Sequence, residues 1–302
     1  MQLRRPVAEA AKARRRSLWS PWQHSYVESA IEALPELCQI ARRGVRPQFA
    51  GTDVHYNQEL VRGVVLAGGL GSRLDPITRI INKHLLPVYD KPMIYYPIRT
   101  LVNAGIEDIM IVTGGRNAGD FLRLLGNGRE FGLKHLDYTY QEGEGGIAEA
   151  LDLARHFSEG EKLCVMLGDN IIEGSVVAAV NAFRAQERGA RILLKQVPDP
   201  GRYGVPRFDG ERIVAIEEKP QHPPSSFAVT GIYMFDGTVF DRISKLDRSA
   251  RGELEITDVN NSYIADGSLE WDELSGWWTD AGTVDGLLRA SQLVAETGAN
   301  NL

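Results

Sequence analysis

The chain has 302 residues, of which 43% are hydrophobic and 25% charged, a composition typical of a globular enzyme with one large or two modest domains. Its formal net charge of −6 argues against a general nucleic-acid binder, because affinity for a phosphate backbone comes mainly from clustered Lys and Arg. No apolar run approaches the roughly 20 residues that a membrane-spanning helix needs. We therefore expect neither a nucleic-acid nor a membrane partner.

The two cysteines, Cys38 and Cys164, lie far apart in the sequence. Cys164 falls within the apolar run from Lys162 to Leu167, which favours a buried, reduced thiol. Reduced thiols are typical of the cytoplasm, and the arginines at 14–16 are not followed by the apolar region of a signal peptide. We expect a cytoplasmic protein.

The first sixty residues differ in charge from the rest of the chain, because residues 1–60 hold nine Lys and Arg against six Asp and Glu. A capping-box spacing that begins at Ser25 and an apolar stripe over 31–41 favour a helix, although a proline interrupts it. The alternative is that translation begins at Val61, since bacterial genes sometimes start on a valine codon. A targeting peptide is a third interpretation. We treat 1–60 as an N-terminal extension and 61–302 as the functional domain.

Beyond residue 60, apolar runs of strand length alternate with helical patterns, which is typical of a parallel sheet covered by helices. Three runs predict central strands, and three segments between them predict helices. After residue 190, four runs in quick succession predict strands that extend or flank this sheet. The predicted central strands are Gly63–Ala67, Ile109–Val112 and Leu163–Leu167, the helices are Met93–Ala104, Asp120–Leu125 and Ile147–Phe157, and the later strands are Arg191–Val197, Val205–Phe208, Ile213–Glu217 and Val229–Phe235.

A glycine-rich loop, Leu66-Ala-Gly-Gly-Leu-Gly-Ser-Arg73, follows the first predicted strand. Its three glycines let backbone N–H groups approach a polyphosphate, and Arg73 adds a forked cation for phosphate oxygens. The loop is not a dinucleotide-binding fingerprint, which would need glycine where Leu74 stands, and no Gly-Lys-Ser/Thr follows to make a Walker loop. Taken alone, such a turn is as often structural as functional.

The next segment, Asn82-Lys-His-Leu-Leu-Pro-Val-Tyr-Asp-Lys-Pro-Met93, decides between these interpretations. Together with the glycine-rich loop it resembles the opening of the glucose-1-phosphate thymidylyltransferases. The resemblance covers about residues 62–297 and implies an α/β fold, namely a three-layer α/β/α Rossmann-like nucleotidyltransferase fold with a mostly parallel central sheet. It continues through the segments Leu167–Asn170, Arg202–Val205, Glu217–Pro220, Ala228–Gly231, Ala250–Asp258 and Trp278–Thr283.

The resemblance implies an in-line attack of a sugar-phosphate oxygen on the α-phosphate of dTTP, which yields dTDP-glucose from glucose 1-phosphate and releases pyrophosphate. The nucleophile is already an anion, so catalysis rests on positioning and on charge stabilisation rather than on a general base. Arg73 would hold the departing phosphates, and Lys83 would bridge the α-phosphate and the sugar phosphate. Without this context, Lys83 would be taken for a solvated surface charge.

Two carboxylates are implied as ligands of Mg²⁺, Asp169 and Asp280. Asp169 follows the predicted strand that ends at Leu167, and ligands of open α/β sheets gather at the carboxyl ends of strands. Mg²⁺ keeps several waters and takes only one or two protein carboxylates beside substrate phosphates. Considered singly, Asp169 could instead cap a turn, and Asp280 could cap the helical pattern that starts at Thr283.

The resemblance also implies the contacts to the nucleotide and the sugar. A side-chain amide can pair with the imide edge of thymine or uracil by donating and accepting together, and aromatic rings at Tyr203 or Trp278 can either cover a sugar face or pack in the core. The implied nucleotide-binding residues are Gly68, Gly69, Gly71, Ser72, Arg73, Gln141 and Gly146, and the implied sugar-binding residues are Asn170, Gly204, Glu218, Lys219 and Val229.

Three departures from the usual pattern leave the base preference and the sugar stringency open. Residues 142–145 read Glu-Gly-Glu-Gly where Pro-Ser-Pro-Asp is expected, and His84 and Glu149 stand where glutamines are usual. The rival interpretations are a related enzyme that uses UTP or another sugar phosphate, and a nucleotide-sugar-binding regulator without turnover. An NAD-dependent oxidoreductase is disfavoured by the missing third glycine. A homo-oligomer is the default expectation.

Overall fold

The computed structural model describes residues 60–115 and 118–301. The predictions of a helix, a start at Val61 or a targeting peptide for the N-terminal extension fall outside these residues and stay predictions. Within the described part of the chain, no helix is both long enough and apolar enough to cross a membrane.

A seven-stranded sheet lies at the centre of the fold. The strands are β1 (Val61–Ala67), β2 (Pro87–Val88), β3 (Lys91–Pro92), β4 (Asp108–Gly114), β5 (His135–Gln141), β6 (Lys162–Leu167), β7 (Asn170–Ile172), β8 (Ala190–Gln196), β9 (Gly204–Asp209), β10 (Arg212–Glu218), β11 (Phe227–Phe235), β12 (Leu269–Glu273) and β13 (Trp278–Asp280). The sheet order is β12-β8-β11-β6-β1-β4-β5. Only β11 runs antiparallel to its neighbours in this sheet, so the predicted mostly parallel sheet is confirmed.

The later strands divide between two positions. Strands β8 and β11 extend the central sheet, whereas β9 and β10 form a separate antiparallel ribbon that flanks it. Two further short ribbons pair β7 with β13 and β2 with β3. The prediction that this region extends or flanks the first sheet is therefore confirmed, and both arrangements occur.

The helices lie between the strands, as the alternating pattern predicts. They are α1 (Tyr95–Asn103), α2 (Ala118–Leu125), α3 (Ile147–Asp152), α4 (Arg155–Ser158), α5 (Val177–Ala185), α6 (Val239–Ile243), α7 (Ile256–Ala265) and α8 (Val284–Thr297). The prediction of one continuous helix over 147–157 is wrong, because a turn separates α3 from α4. Arg155 stabilises this break by donating to Asp152 Oδ1 at 2.7 Å and to the Phe240 carbonyl of α6 at 2.9 Å.

Helices cover both faces of the sheet. Neighbouring residues of β1 point to opposite sides, so Val65 packs in one core with Ile98 of α1 and Phe183 of α5, while Val64 packs in the other core with Leu151 of α3. All of these side chains are fully buried, and each contributes about 1.5 to 3 kcal/mol by leaving water. The three-layer α/β/α architecture is confirmed.

Cys164 of β6 is fully buried among the apolar residues of the first core. Burial raises the pKa of its thiol to about 12, so the group is a protonated, unreactive side chain at neutral pH. This confirms the buried thiol expected from the sequence.

A buried cation, Lys162, ties β6 to α5. Its Nζ donates to the carbonyl oxygens of Phe183 and Arg184 at 3.2 Å each, and also to the carbonyl of Gln186. These carbonyls stand at the end of α5, where helical carbonyls lack partners and where a positive charge is favourable.

Lys162→Met is expected to lower the free energy of unfolding by about 2 to 4 kcal/mol, because buried carbonyls at the helix end lose a charged donor. Urea denaturation measures the change. Lys134→Met is a matched control, since that side chain is 65% exposed, and we expect it to change stability by less than about 0.5 kcal/mol. An unchanged urea midpoint for Lys162→Met would show that the helix end does not depend on this cation.

Candidate functional site

A cleft of about 590 Å³ opens at the carboxyl ends of the central parallel strands. Its walls come from the loop after β1, the end of β5, the β7 and β13 ribbon, the β9 and β10 ribbon, and the start of α7. The cleft brings together every site residue predicted from the sequence. These are Gly68, Gly69, Gly71, Ser72, Arg73, Lys83, Gln141, Gly146, Asp169, Asn170, Gly204, Glu218, Lys219, Val229 and Asp280.

Two glycines of the glycine-rich loop, Gly68 and Gly71, lie too close to their neighbours to carry a side chain without displacing them. A Cβ on Gly68 would lie 2.6 Å from Gln141 Oε1, and a Cβ on Gly114 would lie 2.4 Å from the carbonyl oxygen of Gly68. Gly71 has a φ of 71°, and its Cβ would meet the Lys83 side chain at 3.0 Å. The glycines therefore hold the loop against the strand ends and leave its backbone facing the cleft.

Arg73 reaches the cleft from a single 3-10 turn, Ser72–Leu74. The Leu74 side chain is fully buried and anchors this turn, whereas Arg73 is exposed. Thr78 Oγ1 donates to the Gly71 carbonyl at 2.9 Å and braces the start of the turn. The buried leucine thus fixes the turn from which the Arg73 side chain extends.

Lys83 is a mostly buried cation rather than a solvated surface charge. Its Nζ donates to Asp169 Oδ2 at 2.6 Å, and the two side chains are only 12% and 9% exposed. The turn that carries Lys83 is held by Asn82, whose Oδ1 accepts from the backbone N–H of His84 at 2.9 Å. His84 is buried, and burial together with the nearby charge of Lys83 lowers its pKa to about 3, so its ring is neutral at physiological pH.

The two predicted carboxylates meet through the ribbon of β7 and β13. In this antiparallel pair Asp280 stands opposite Asn170, the residue after Asp169, and the Ala281 N–H donates to the Asp169 carbonyl at 2.9 Å. A Cβ on Gly282 would lie 2.7 Å from Asp280 Oδ1, 3.1 Å from Asp169 Oδ2 and 3.0 Å from Arg73 Nη2. Two carboxylates and a guanidinium therefore converge on one point.

The electrostatics of this point suit a divalent cation. Burial raises the pKa of Asp280, and the charge of Asp169 raises it further. Burial also works against the charge of Asp169, but the charge and hydrogen bond of Lys83, with a further hydrogen bond from Asn170, together outweigh burial and hold the pKa of Asp169 well below its usual range. Two buried carboxylates that repel each other are stabilised by a shared cation.

The alternative role of Asp280 as a helix cap does not hold. Helix α8 is capped by Thr283, whose Oγ1 accepts from the Gly286 N–H at 3.1 Å. Across residues 60–115 and 118–301, no group of three or more His, Cys, Asp and Glu side chains could hold a metal. A pair of carboxylates together with substrate oxygens is a ligand set that Mg²⁺ accepts.

Gln141 and Gly146 lie side by side at the end of the cleft where the base is predicted to bind. Gln141 is buried, and its Nε2 donates to the Gly146 carbonyl at 3.3 Å. Gly146 has a φ of 99°, and a Cβ there would lie 2.5 Å from the Leu254 carbonyl oxygen. The Leu254 N–H donates to the Gly145 carbonyl at 2.8 Å, so residues 142–146, the base loop, are fastened to the segment before α7.

Glu149, which stands where glutamine is usual, lies beside the base loop rather than in the cleft. Its Oε1 accepts from Arg248 Nη2 at 2.6 Å, and its carboxylate occupies the space that a Cβ on Gly145 would need. The glutamate at this position is therefore paired with Arg248 outside the cleft wall. His84, the other departure, does line the cleft.

The end of the cleft where the sugar is predicted to bind is built from the ends of β7, β10 and β13. Asn170 is buried, and its Oδ1 accepts from the Gly231 N–H at 3.0 Å and from Trp278 Nε1 at 2.6 Å. The ring of Trp278 packs edge-on against Tyr203, with ring centroids 5.0 Å apart. Both rings line the cleft, so the two roles considered for them, packing and facing a ligand, are compatible.

The polar cleft residues that were not assigned from the sequence include Arg251, Glu253, Glu255, Thr257 and Asn260. Most lie in the segment Ala250–Asp258, which carried the resemblance without assigned roles. Arg251 Nη2 donates to Glu255 Oε2 at 2.7 Å, and Thr257 Oγ1 donates to Glu218 Oε2 at 2.6 Å. The resemblance of the segment Ala250–Asp258 was the available signal for the first four, and Asn260 lies outside this segment.

Comparison with known proteins identifies the family of the chain. The sequence pattern of the nucleotidyl transferases matches residues 62–297. The chain belongs to the nucleotidyl transferase family. Its relatives include the glucose-1-phosphate thymidylyltransferase of Neisseria meningitidis, which is 45% identical over 78% of this chain and 82% of the relative. The enzyme of the same name from Mycobacterium tuberculosis is 42% identical over the same shares. These relatives confirm the resemblance to the glucose-1-phosphate thymidylyltransferases.

Solved structures agree with the fold. A Bacillus anthracis protein described as a candidate glucose-1-phosphate thymidylyltransferase, solved in complex with a sucrose, is 50% identical. It superposes with a TM-score of 0.75 over 78% of this chain and 96% of that chain. A UDP-glucose pyrophosphorylase complexed with UDP-glucose shares the fold at 24% identity, with a TM-score of 0.70 over 78% and 99% of the two chains.

Proposed function

We propose that this protein transfers a nucleoside monophosphate from dTTP to glucose 1-phosphate, giving dTDP-glucose and pyrophosphate. The observation that carries the proposal is the convergence of Arg73, Lys83, Asp169 and Asp280 on one point of a cleft. The names of its relatives support the same reaction. A regulator that only binds nucleotide sugars has no need of this arrangement of charges.

In the proposed reaction a phosphate oxygen of the sugar 1-phosphate attacks the α-phosphorus of dTTP. A new oxygen–phosphorus bond forms, the bond to the bridging oxygen breaks, and pyrophosphate departs with the electron pair. No proton has to move, because the attacking oxygen is an anion. The protein therefore contributes positioning and positive charge. Arg73 holds the departing phosphates, and Lys83 lies where the α-phosphate and the sugar phosphate meet.

The donor set fits Mg²⁺. When bound, the ion would neutralise charge on the phosphates, and Asp169 and Asp280 would hold it. Lys83 already forms an ion pair with Asp169, so the lysine keeps this carboxylate ionised and in place. Arg73 Nη2 reaches the same point from the glycine-rich loop. The cation that is proposed to hold the departing phosphates therefore lies next to the two carboxylates.

The base site predicts a graded preference among nucleoside triphosphates. Gln141 and the backbone of Gly146 can pair with an imide edge that thymine and uracil share, whereas a purine needs more room. We expect dTTP to be preferred modestly to UTP, and both strongly to ATP and GTP. Specificity constants from pyrophosphate release across the four triphosphates, with glucose 1-phosphate fixed, measure this order.

Gln141→Ala is the matched test of the same assignment. It should raise the KM for dTTP about tenfold, corresponding to the loss of about 1.4 kcal/mol of paired hydrogen bonding, while leaving the KM for glucose 1-phosphate nearly unchanged. Efficient turnover of ATP or GTP by the unaltered protein would contradict the base site. Turnover with UTP but not dTTP would identify the related uridylyl-transferring activity instead.

Two further parts of the proposal concern assembly and location. The chain is proposed to act as a homo-oligomer, as symmetric association is common among soluble enzymes, and to work in the cytoplasm, where a free buried thiol such as Cys164 is usual. Light scattering from the purified protein, coupled to gel filtration, tests the first part, and fractionation of the cells that make the protein tests the second.

A further inference from the structure

Helix α7 carries two adjacent asparagines in opposite surroundings. The side chain of Asn261 is fully engaged with Ile216, because its Oδ1 accepts from the backbone N–H at 2.8 Å and its Nδ2 donates to the carbonyl at 2.9 Å. Asn260 is only 1% exposed and lines the cleft. Among the residues that the structure describes, no donor reaches its Oδ1.

An unpaired amide oxygen is an uncommon feature of a protein interior. Most buried polar side-chain atoms have at least one hydrogen-bond partner, and the loss of a partner is unfavourable. The fully paired amide of Asn261 shows that the same helix satisfies such a group elsewhere. An unpaired group in the wall of a binding cleft is therefore a candidate for a partner that arrives with the ligand.

The position of Asn260 places it at the sugar end of the cleft. It lies three residues after Thr257 and four after Ile256, so all three share one face of α7, and all three line the cleft. The Thr257 hydroxyl donates to Glu218, a residue proposed to bind the sugar. Tyr233 of β11 lines the same cleft, and it is also buried.

We propose that Asn260 determines sugar specificity by accepting a hydrogen bond from one hydroxyl of the bound sugar 1-phosphate. This inference rests on the proposed function, since it assigns a further residue to the same site. Sugar hydroxyls are donors as well as acceptors, so they supply what Asn260 Oδ1 lacks.

This role predicts a dependence on one hydroxyl. A site that hydrogen-bonds a substrate hydroxyl discriminates against the analogue that lacks it, because the polar group of the site is then left unpaired. For the unaltered enzyme, kcat/KM for one monodeoxy analogue of glucose 1-phosphate should be at least about tenfold lower than kcat/KM for the other monodeoxy analogues. Asn260→Leu, which keeps the size but removes the amide, should lose discrimination against that analogue alone.

The experiment measures kcat/KM for glucose 1-phosphate and for each monodeoxy analogue, with dTTP saturating, in three proteins. In Asn260→Leu the penalty for one missing hydroxyl should disappear, and the KM for dTTP should stay within about twofold. Asn260→Asp keeps an acceptor and should keep the discrimination, which covers the case in which the leucine variant folds poorly. Asn261→Leu is the matched control, and it should lower the thermal midpoint without changing the order of the analogues.

The experiment distinguishes a failure of the proposed function from a failure of the inference about Asn260. If the unaltered protein releases no pyrophosphate from any pair of triphosphate and sugar 1-phosphate, the proposed function is wrong and this inference is wrong with it. If the unaltered protein is active but both Asn260 variants reduce kcat/KM by one common factor for every analogue, or leave the analogue pattern as it was, Asn260 has a structural role and the inference alone is overturned.

Discussion

Asp169→Asn is expected to keep the fold and to lose roughly a hundredfold or more in kcat, about 3 to 4 kcal/mol of transition-state stabilisation. An amide offers a neutral oxygen where Mg²⁺ requires an anionic one. The Mg²⁺ concentration for half-maximal rate should rise as well. Lys83 Nζ now donates to Asp169 Oδ2 at 2.6 Å and can still donate to the amide oxygen, so the local structure has no reason to collapse.

Asp280→Asn should behave in the same way, and the double variant should be far less damaging than the product of the two single effects, because both carboxylates act as one site. Steady-state kinetics at several Mg²⁺ concentrations measure this. Asp258→Asn is the control, since Asp258 lies on α7 and is exposed outside the cleft wall. Normal turnover of either Asp169→Asn or Asp280→Asn at limiting Mg²⁺ would show that the residue is not a metal ligand.

Lys83→Met is expected to have the second large effect, acting on activity and stability together. The cleft loses the cation that faces the reacting phosphates, so kcat should fall about a hundredfold to a thousandfold. Asp169 also loses its partner in a mostly buried pair, and breaking such a pair by removing one member costs about 3 to 5 kcal/mol. Urea denaturation and steady-state kinetics on the same preparation measure both changes.

Added Mg²⁺ should separate the effect of Lys83→Met on stability from its effect on activity. The proposed site would hold the ion next to the orphaned Asp169, so Mg²⁺ should restore much of the stability of Lys83→Met, to a larger extent than it stabilises the unaltered protein, while kcat stays low. Lys83→Arg, which keeps the charge, should retain stability and regain part of the activity. If Lys83→Met folds as stably as the unaltered protein and turns over normally, Lys83 is neither the partner of Asp169 in solution nor a catalytic cation.

The sequence was sufficient to predict those elements of the fold whose determining interactions are local. The apolar runs of β1, β4 and β6 predict buried parallel strands, because such strands are covered on both faces by helices. The glycine-rich loop was also recognisable, since close approach of a backbone leaves a requirement for glycine at Gly68 and Gly71. The break between α3 and α4 was not recognisable, because it depends on the contact of Arg155 with a carbonyl of α6, far away in the sequence.

The site itself depended on resemblance, because its geometry is tertiary. Asp169 and Asp280 are each compatible with a capping role in the sequence, and only the pairing of β7 with β13 brings them together. The same is true of the ion pair between Glu149 and Arg248, which explains an unusual residue beside the base loop. Asn260 gave no signal at all, because an unpaired amide can be recognised only when its surroundings are known.

The most direct test of the proposed reaction follows the α-phosphorus of dTTP. The purified protein is incubated with glucose 1-phosphate, Mg²⁺ and dTTP radiolabelled either at the α- or at the γ-phosphorus, and the products are separated. Attack at the α-phosphorus predicts that the α label appears in dTDP-glucose and the γ label in pyrophosphate, in equal amounts. Transfer of the γ label to the sugar, or release of both labels without any sugar nucleotide, would contradict the account.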